Sequence, residues 1–233
     1  MRLDKYLSHL QYGSRRDIKA LVKQKRVQVD GQLVSDSGLA ISEQNQVSVD
    51  GQLVAANLAA YYLLNKPAGV VTATEDSRDQ TVLDLIAPAD VRPGLAPVGR
   101  LDKDTTGLLL LTTDGALAHA LLAPQQHVDK VYQVTIDQPL TPTGIEQLQT
   151  GIVFKDFTSA PAQVEVVASQ EILLTIHEGK FHQVKRMLHA VGSEVVALKR
   201  VAMGGLWLDE RLAPGQYRAL TPEEIKQLTQ KTS

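Results

Sequence analysis

Gly99-Arg100-Leu101-Asp102-Lys103-Asp104-Thr105-Thr106-Gly107 places a guanidinium and two carboxylates in a glycine-bounded turn directly before the apolar run Leu108-Leu109-Leu110-Leu111. A carboxylate on a loop braced by a buried strand can be aimed at a substrate and serve as nucleophile or base, because the strand fixes the backbone while the loop stays reachable. Ordinary turn chemistry produces similar strings, since Asp and Thr side chains bond back to their own backbone. Asp104 fits that plainer role, as the N-side anchor of the Thr105-Thr106 turn.

Two further segments carry groups that could join Asp102 at one site. Tyr132 lies in Lys130-Val131-Tyr132-Gln133-Val134, where a strand aromatic is usually a core residue. Lys185 lies in Gly179-Lys180-Phe181-His182-Gln183-Val184-Lys185-Arg186-Met187. The spacing predicts a helix over 181–191, with Phe181, Val184, Leu188 and Val191 as its buried stripe and Gly192 ending it. Lys185 falls on the edge of that stripe, about 40° from Phe181 at roughly 100° per residue. It can bury its stem and hold its ammonium against a partly buried carboxylate. Arg186 and Lys180 face phosphates or solvent in this reading.

The elements expected to position these groups are short strands punctuated by Pro, Gly and Asp. Strands are expected at 61–64, 70–74, 108–113, 130–136, 172–176, 195–201 and 205–208, and a helix at 116–122. Strands outnumber helices and do not alternate with them. The expected class is therefore α+β, with a mostly antiparallel mixed sheet and flanking helices.

At 233 residues the chain has room for a small domain and a larger one. No apolar run approaches the roughly 20 residues that span a bilayer, and the first residues lack the apolar core of a secretion signal. A cytoplasmic protein without a membrane partner is expected. The absence of cysteine excludes disulfides, thiolate catalysis and thiolate metal sites, and the six histidines show no zinc-like spacing, so no metal is expected.

The net charge of −2 is unevenly spread. Residues 1–35 hold Arg2, Lys5, Arg15, Arg16, Lys19, Lys23, Lys25 and Arg26 against Asp4, Asp17 and Asp30, a net of +5 that leaves −7 for the rest. Ser14 and Asp17 read as a helix N-cap with an acidic first turn. Ile18, Leu21 and Val22 then face a core, while Arg15, Lys19 and Lys23 recur every four residues on the other side, with Arg16 beside them. Such a stripe is either a solvated helix face or a polyanion surface. Two similar hairpins follow, Val27–Val34 and Val47–Val54, each turning at Asp-Gly. Residues 1–54 read as a basic module, 55–60 as a linker, and 61–233 as the larger domain.

The amino-terminal string resembles the S4 RNA-binding domain at R-L-D-K-Y-L (2–7), G-S-R-R (13–16) and K-R-V-Q-V-D-G (25–31). The larger domain resembles the pseudouridine synthases of the ribosomal small-subunit type, the RsuA family. The matches are G-R-L-D (99–102), D-T-T-G (104–107), N-K-P-A-G (65–69), K-V-Y (130–132), G-K-F-H-Q-V-K-R-M (179–187) and A-P-G-Q-Y-R-A-L-T (213–221). That resemblance implies isomerisation of uridine to pseudouridine in ribosomal RNA, with 16S rRNA the expected target and 23S rRNA the alternative. No cofactor is implied, because the glycosidic bond is broken and remade within one site.

By the same resemblance Asp102 is the catalytic aspartate, Tyr132 stacks on the extruded uracil, Lys185 pairs with Asp102, and Arg100 supports the flipped-out RNA. Attack on ribose C1′, attack on uracil C6 and abstraction of the C2′ proton all remain open. Arg2, Lys5, Ser14, Arg15, Arg16, Lys19, Lys23, Lys25, Arg26, Lys180 and Arg186 are the expected RNA contacts. The partner is ribosomal RNA or a small-subunit assembly intermediate, met by a monomer. Two other readings compete. Asp102-Lys103-Asp104-Thr105 satisfies the D-x-D-x-T of haloacid-dehalogenase phosphatases, but Pro97, Gly99 and Arg100 stand where that motif needs a continuous apolar strand. A non-catalytic assembly factor is the second.

Overall fold

A computed structural model describes residues 1–10, 12–42, 45–54 and 59–228. The chain divides into two units, Met1–Ala60 with Ala89–Leu95, and Tyr61–Pro88 with Ala96–Ser233. Most of the expected linker, 55–58, lies outside the described residues.

In the amino-terminal unit, helices α1 (Leu3–His9) and α2 (Arg15–Lys23) precede strands β1 (Val27–Val29), β2 (Gln32–Leu33), β3 (Val47–Val49) and β4 (Gln52–Leu53). Ser14 caps α2 as its sequence implies: its hydroxyl accepts from the Asp17 N–H, and the Asp17 carboxylate accepts from the Ser14 N–H at 2.8 Å. Both hairpins turn through residues of positive φ, Asp30-Gly31 at 52° and 76° and Asp50-Gly51 at 54° and 75°. Those are the conformations a two-residue primed turn requires, and they match the right-handed twist of the flanking strands. The four strands pair antiparallel in the order β2-β1-β3-β4. Leu3, Leu7, Ile18, Val22, Val27 and Val47 form the core between helices and sheet.

The larger unit is built on a sheet whose main path runs β13-β5-β7-β11-β8-β10-β9. Its strands are β5 (Tyr61–Lys66), β6 (Ala96–Pro97), β7 (Thr106–Thr112), β8 (Lys130–Ile136), β9 (Gln163–Ala168), β10 (Glu171–Ile176), β11 (Val195–Met203), β12 (Leu206–Trp207) and β13 (Tyr217–Ala219). β6 pairs with β7 and β12 with β11. Helices α3 (Gly115–Leu122), α4 (Pro142–Thr150), α5 (Gln183–Ala190) and α6 (Pro222–Gln227) flank it. Every pairing is antiparallel except β7 with β11, so the α+β class and the mostly antiparallel mixed sheet are as expected. The leucines at 108–111 are all buried in β7, a central strand that reads as a continuous apolar run.

Three local expectations are corrected. Residues 70–74 do not form a strand: among the described residues Val71 bridges Thr81 alone, and Thr72 bonds Leu101 in the loop that follows β6. The helix expected from Phe181 begins at Gln183, because His182 at its N-cap adopts the left-handed conformation with φ 50°. Phe181 is consequently 76% exposed and absent from the buried stripe, which is Gln183, Val184, Met187 and Leu188. At the other end Gly192, with φ 85°, closes the helix as expected, its N–H donating to His189 and that of Ser193 to Leu188.

Candidate functional site

The loop 99–107 is held from beneath by the end of β5 and the segment after it. Lys66 is the last residue of β5, wholly buried, and its ammonium donates to the carbonyls of Pro67 (3.1 Å), Asp102 (3.1 Å), Lys103 (3.3 Å) and Thr105 (2.9 Å). Burial pushes its pKa down to about 8, against the opposing pull of Asp104 and Asp102. Thr72 Oγ1 donates to the Leu101 carbonyl at 2.8 Å and accepts from the Leu101 N–H at 3.2 Å, and the Gly69 N–H donates to Lys103 at 2.8 Å. Lys103 reaches outward to Asp79 at 2.6 Å. The N-K-P-A-G string therefore clamps the backbone of the G-R-L-D string, a role not foreseen from the residues alone. Its only signal was a lysine just after the apolar run 61–64 and Asn65, where burial needs several acceptors.

Gly107 sets the other end of the loop. It sits at φ 97° where β7 meets β11, paired with Arg200, and a Cβ there would lie 2.2 Å from the Arg200 carbonyl oxygen. Only glycine permits this approach. Arg200 is itself buried and donates through Nε to the Leu108 carbonyl at 2.8 Å.

The carboxylate of Asp102 emerges from this clamp 28% exposed. Lys185, in the first turn of α5, stands with Nζ 3.3 Å from Asp102 Oδ2 and hydrogen-bonds both Asp104 oxygens, at 2.7 and 2.8 Å. The expected pairing with Asp102 is thus shared with Asp104. Asp104, expected only as the N-side anchor of the Thr105-Thr106 turn, makes this ion pair with its side chain 72% exposed. The hydrogen bond from Lys185 holds the Asp104 carboxyl below the usual range. Burial opposes the Lys185 charge, but its hydrogen bond to Asp104 and the charges of both carboxylates outweigh that and raise its pKa.

His182 was not foreseen. Its left-handed backbone brings Nε2 to 3.6 Å from Asp102 Oδ1, and its ring stacks on Phe181 with centroids 3.8 Å apart. Gln183 builds the turn, its buried amide accepting from the Lys180 N–H at 2.9 Å and donating to Glu178 at 3.0 Å. Tyr132, 8% exposed on β8, lines the same cleft as Asp102, Arg100, Lys180, His182 and Lys185. Lys130, two residues before it, is buried with its ammonium on the Val128 carbonyl. Its pKa falls to about 8 through burial and the charge of Arg200.

The expected RNA contacts divide into two sets. Arg100 and Lys180 are exposed at the cleft rim, and Lys5, Arg15, Arg16, Lys19, Lys23 and Lys25 are exposed on the amino-terminal unit. The others are already engaged. Arg2 is bidentate to Asp4 and Arg26 to Asp50, while the Ser14 hydroxyl bonds Asp17 at 2.6 Å. Arg186 does not point freely to solvent as expected: it is bidentate to Asp156 and lies 4.8 and 4.7 Å from the ring centroids of Phe154 and Phe157.

A carboxylate, a lysine ammonium and a tyrosine stand around one open cleft on an α+β sheet, and groups of these types are capable of acid–base or nucleophilic chemistry. Residues 60–190 match the family model of RNA pseudouridylate synthases, and residues 1–47 match the S4 domain. A Bacillus subtilis protein named as an uncharacterized RNA pseudouridine synthase is 47% identical, the match covering 99% of each chain. The Escherichia coli K12 protein named ribosomal small subunit pseudouridine synthase A is 42% identical over 97% of this chain and 98% of its own. A crystal structure described as a pseudouridylate synthase superposes with a TM-score of 0.69 at 34% identity, covering 98% and 99% of the two chains. The chain belongs to the RNA pseudouridylate synthase family and carries an S4 domain; it is an isomerase acting on RNA. The phosphatase reading falls with that assignment, and among the described residues no cluster of acidic or histidine side chains could hold a metal ion.

Proposed function

We propose that this enzyme converts a uridine of small-subunit ribosomal RNA to pseudouridine, with Asp102 as the reacting carboxylate. One observation carries the assignment of roles: the Asp102 carboxylate, the Lys185 ammonium and the Tyr132 ring share one cleft, and the loop that carries Asp102 has its backbone clamped by Lys66. The target is supported by relatives named ribosomal small subunit pseudouridine synthase A, matched over nearly their full length.

A stacked uridine must first leave its helix, at a cost of a few kcal/mol. Arg100 at the rim supports the RNA there, and Tyr132 stacks on the extruded uracil, a contact worth about 1–3 kcal/mol. Asp102 acts as nucleophile or base while the bond between ribose C1′ and uracil N1 breaks. The uracil turns, its C5 bonds to C1′, the C5 proton passes to water by way of the Tyr132 hydroxyl, which gives up its own proton as it takes this one, and N1 gains a proton from water. Lys185 balances the Asp102 charge once RNA excludes water, and Asp104 keeps that lysine in place before RNA arrives. No redox change occurs and no co-reactant is consumed.

Residues 1–54 bind RNA through Arg15, Arg16, Lys19, Lys23 and Lys25, and 61–233 carry the chemistry. The enzyme works as a cytoplasmic monomer on rRNA or an assembly intermediate. The test is tritium release from small-subunit rRNA transcribed with 5-tritiated uridine. Wild type releases it, Asp102→Ala does not, and both bind the transcript with similar affinity. Equal release by the variant would refute the role of Asp102, and release only from large-subunit rRNA would move the target there.

A further inference from the structure

Phe181, between the cleft-lining residues Lys180 and His182, is 76% exposed, although it is one of only three phenylalanines in the chain. The helical pattern of 181–191 would bury it on α5. The chain instead takes a left-handed turn at His182, a strained conformation for a residue with a Cβ, and stacks the two rings at 3.8 Å with an interplanar angle of 18°. Only His182 of the pair lines the cleft, so the stack runs outward from the cleft wall and ends in the open face of Phe181. The other two phenylalanines, Phe154 and Phe157, are covered by Arg186. Lys180, directly before Phe181 in the chain, is exposed and lines the cleft, so a cation borders the same segment.

An exposed aromatic face beside a cation is the platform that single-stranded nucleic acid binds by base stacking. We propose that Phe181, propped by His182, is a second base subsite that receives the nucleotide adjacent to the extruded uridine. Tyr132 lines the cleft and is allotted to the reacting uracil; Phe181 is not among the lining residues but stacks on His182, which is, and so is allotted to the neighbouring base. Because every base has a π-face, this subsite selects an unstacked neighbour rather than a particular base. The inference rests on the function proposed above.

The test uses full-length small-subunit rRNA transcript, with KM and kcat from tritium release and Kd from filter binding. Phe181→Ala is expected to raise KM and Kd about tenfold, within the range of a single base stack, with a smaller effect on kcat. Phe181→Trp restores both, whereas Phe181→Leu, which keeps apolar bulk without a π-face, does not. Unchanged KM and Kd in Phe181→Ala, or full rescue by leucine, overturns the subsite while leaving the proposed function standing. If wild type does not convert this transcript, the proposed target fails instead. The platform is then judged on Kd alone: weaker binding by Phe181→Ala with rescue by tryptophan supports it, and equal binding overturns it.

Discussion

The ammonium of Lys66 holds Asp102 by its backbone, donating to the carbonyl oxygen at 3.1 Å. It also holds the carbonyls of Lys103 and Thr105, so one buried cation sets the path of the whole turn. The carboxylate is left free for Lys185, 3.3 Å away, and for substrate. Position and charge balance are thus assigned to two different lysines.

Lys66→Met leaves four carbonyls without their common donor. Unsatisfied buried acceptors cost about 1–3 kcal/mol each before relaxation, so a net loss of about 3 kcal/mol in urea denaturation is expected. The turnover number should fall at least about tenfold even where the variant is fully folded, since a slack loop misplaces Asp102.

Raising the pH through about 8 neutralises Lys66 and leaves two donors for four acceptors. Turnover should decline on this alkaline limb while the protein stays folded. For stability the sign is opposite: the unfolded lysine, near 10.5, binds more protons than the folded one, so this group makes stability rise with pH between about 8 and 10.5. Lys130 titrates in the same range, but its ammonium bonds Val128 and not the loop. The alkaline limb should therefore vanish in Lys66→Met and persist in Lys130→Met, measured as kcat against pH.

Asp104→Asn removes the partner that holds Lys185 most closely. Because Asp104 is exposed, the stability change should be below about 1 kcal/mol. What stabilisation it supplies is present above the ordinary carboxylate range and disappears as pH falls through its lowered pKa. Lys185 then turns wholly to Asp102, and activity should fall by less than tenfold, against complete loss in Asp102→Ala. A loss in Asp104→Asn as deep as that of Asp102→Ala would mean that both carboxylates react.

Gly107→Ala should destabilise the larger unit by more than about 3 kcal/mol, since it combines a positive φ with a Cβ 2.2 Å from the Arg200 carbonyl. Denaturation midpoint and amide exchange across β7 and β11 would both report it.

Replacing Arg15, Arg16 and Lys19 by alanine should weaken RNA binding and lower its dependence on salt by about one unit of slope for each phosphate no longer neutralised. Arg26→Ala, which breaks an existing pair with Asp50, should change the slope less. Filter binding over a range of salt concentrations separates them.

Local chemistry made much of this protein legible in its sequence. Ser14 with Asp17, the two Asp-Gly turns, the leucine strand and the span of β8 follow from interactions among near neighbours, which the residues declare themselves. The carboxylate loop and the cleft residues Tyr132 and Lys185 were legible through the motifs that carry them. Tertiary structure decided the rest, because long-range contacts overrode local preference. Phe181 has the spacing of a buried helical residue, yet His182 turns it outward; Arg186 looks free, yet Asp156 and two phenylalanines claim it. Lys66 reads as part of the connection after a strand at 61–64 until the fold surrounds it with carbonyls from a loop 36 to 39 residues away. Which cation serves the backbone and which serves the carboxylate is a matter of acceptor geometry, and that geometry exists only in the folded chain.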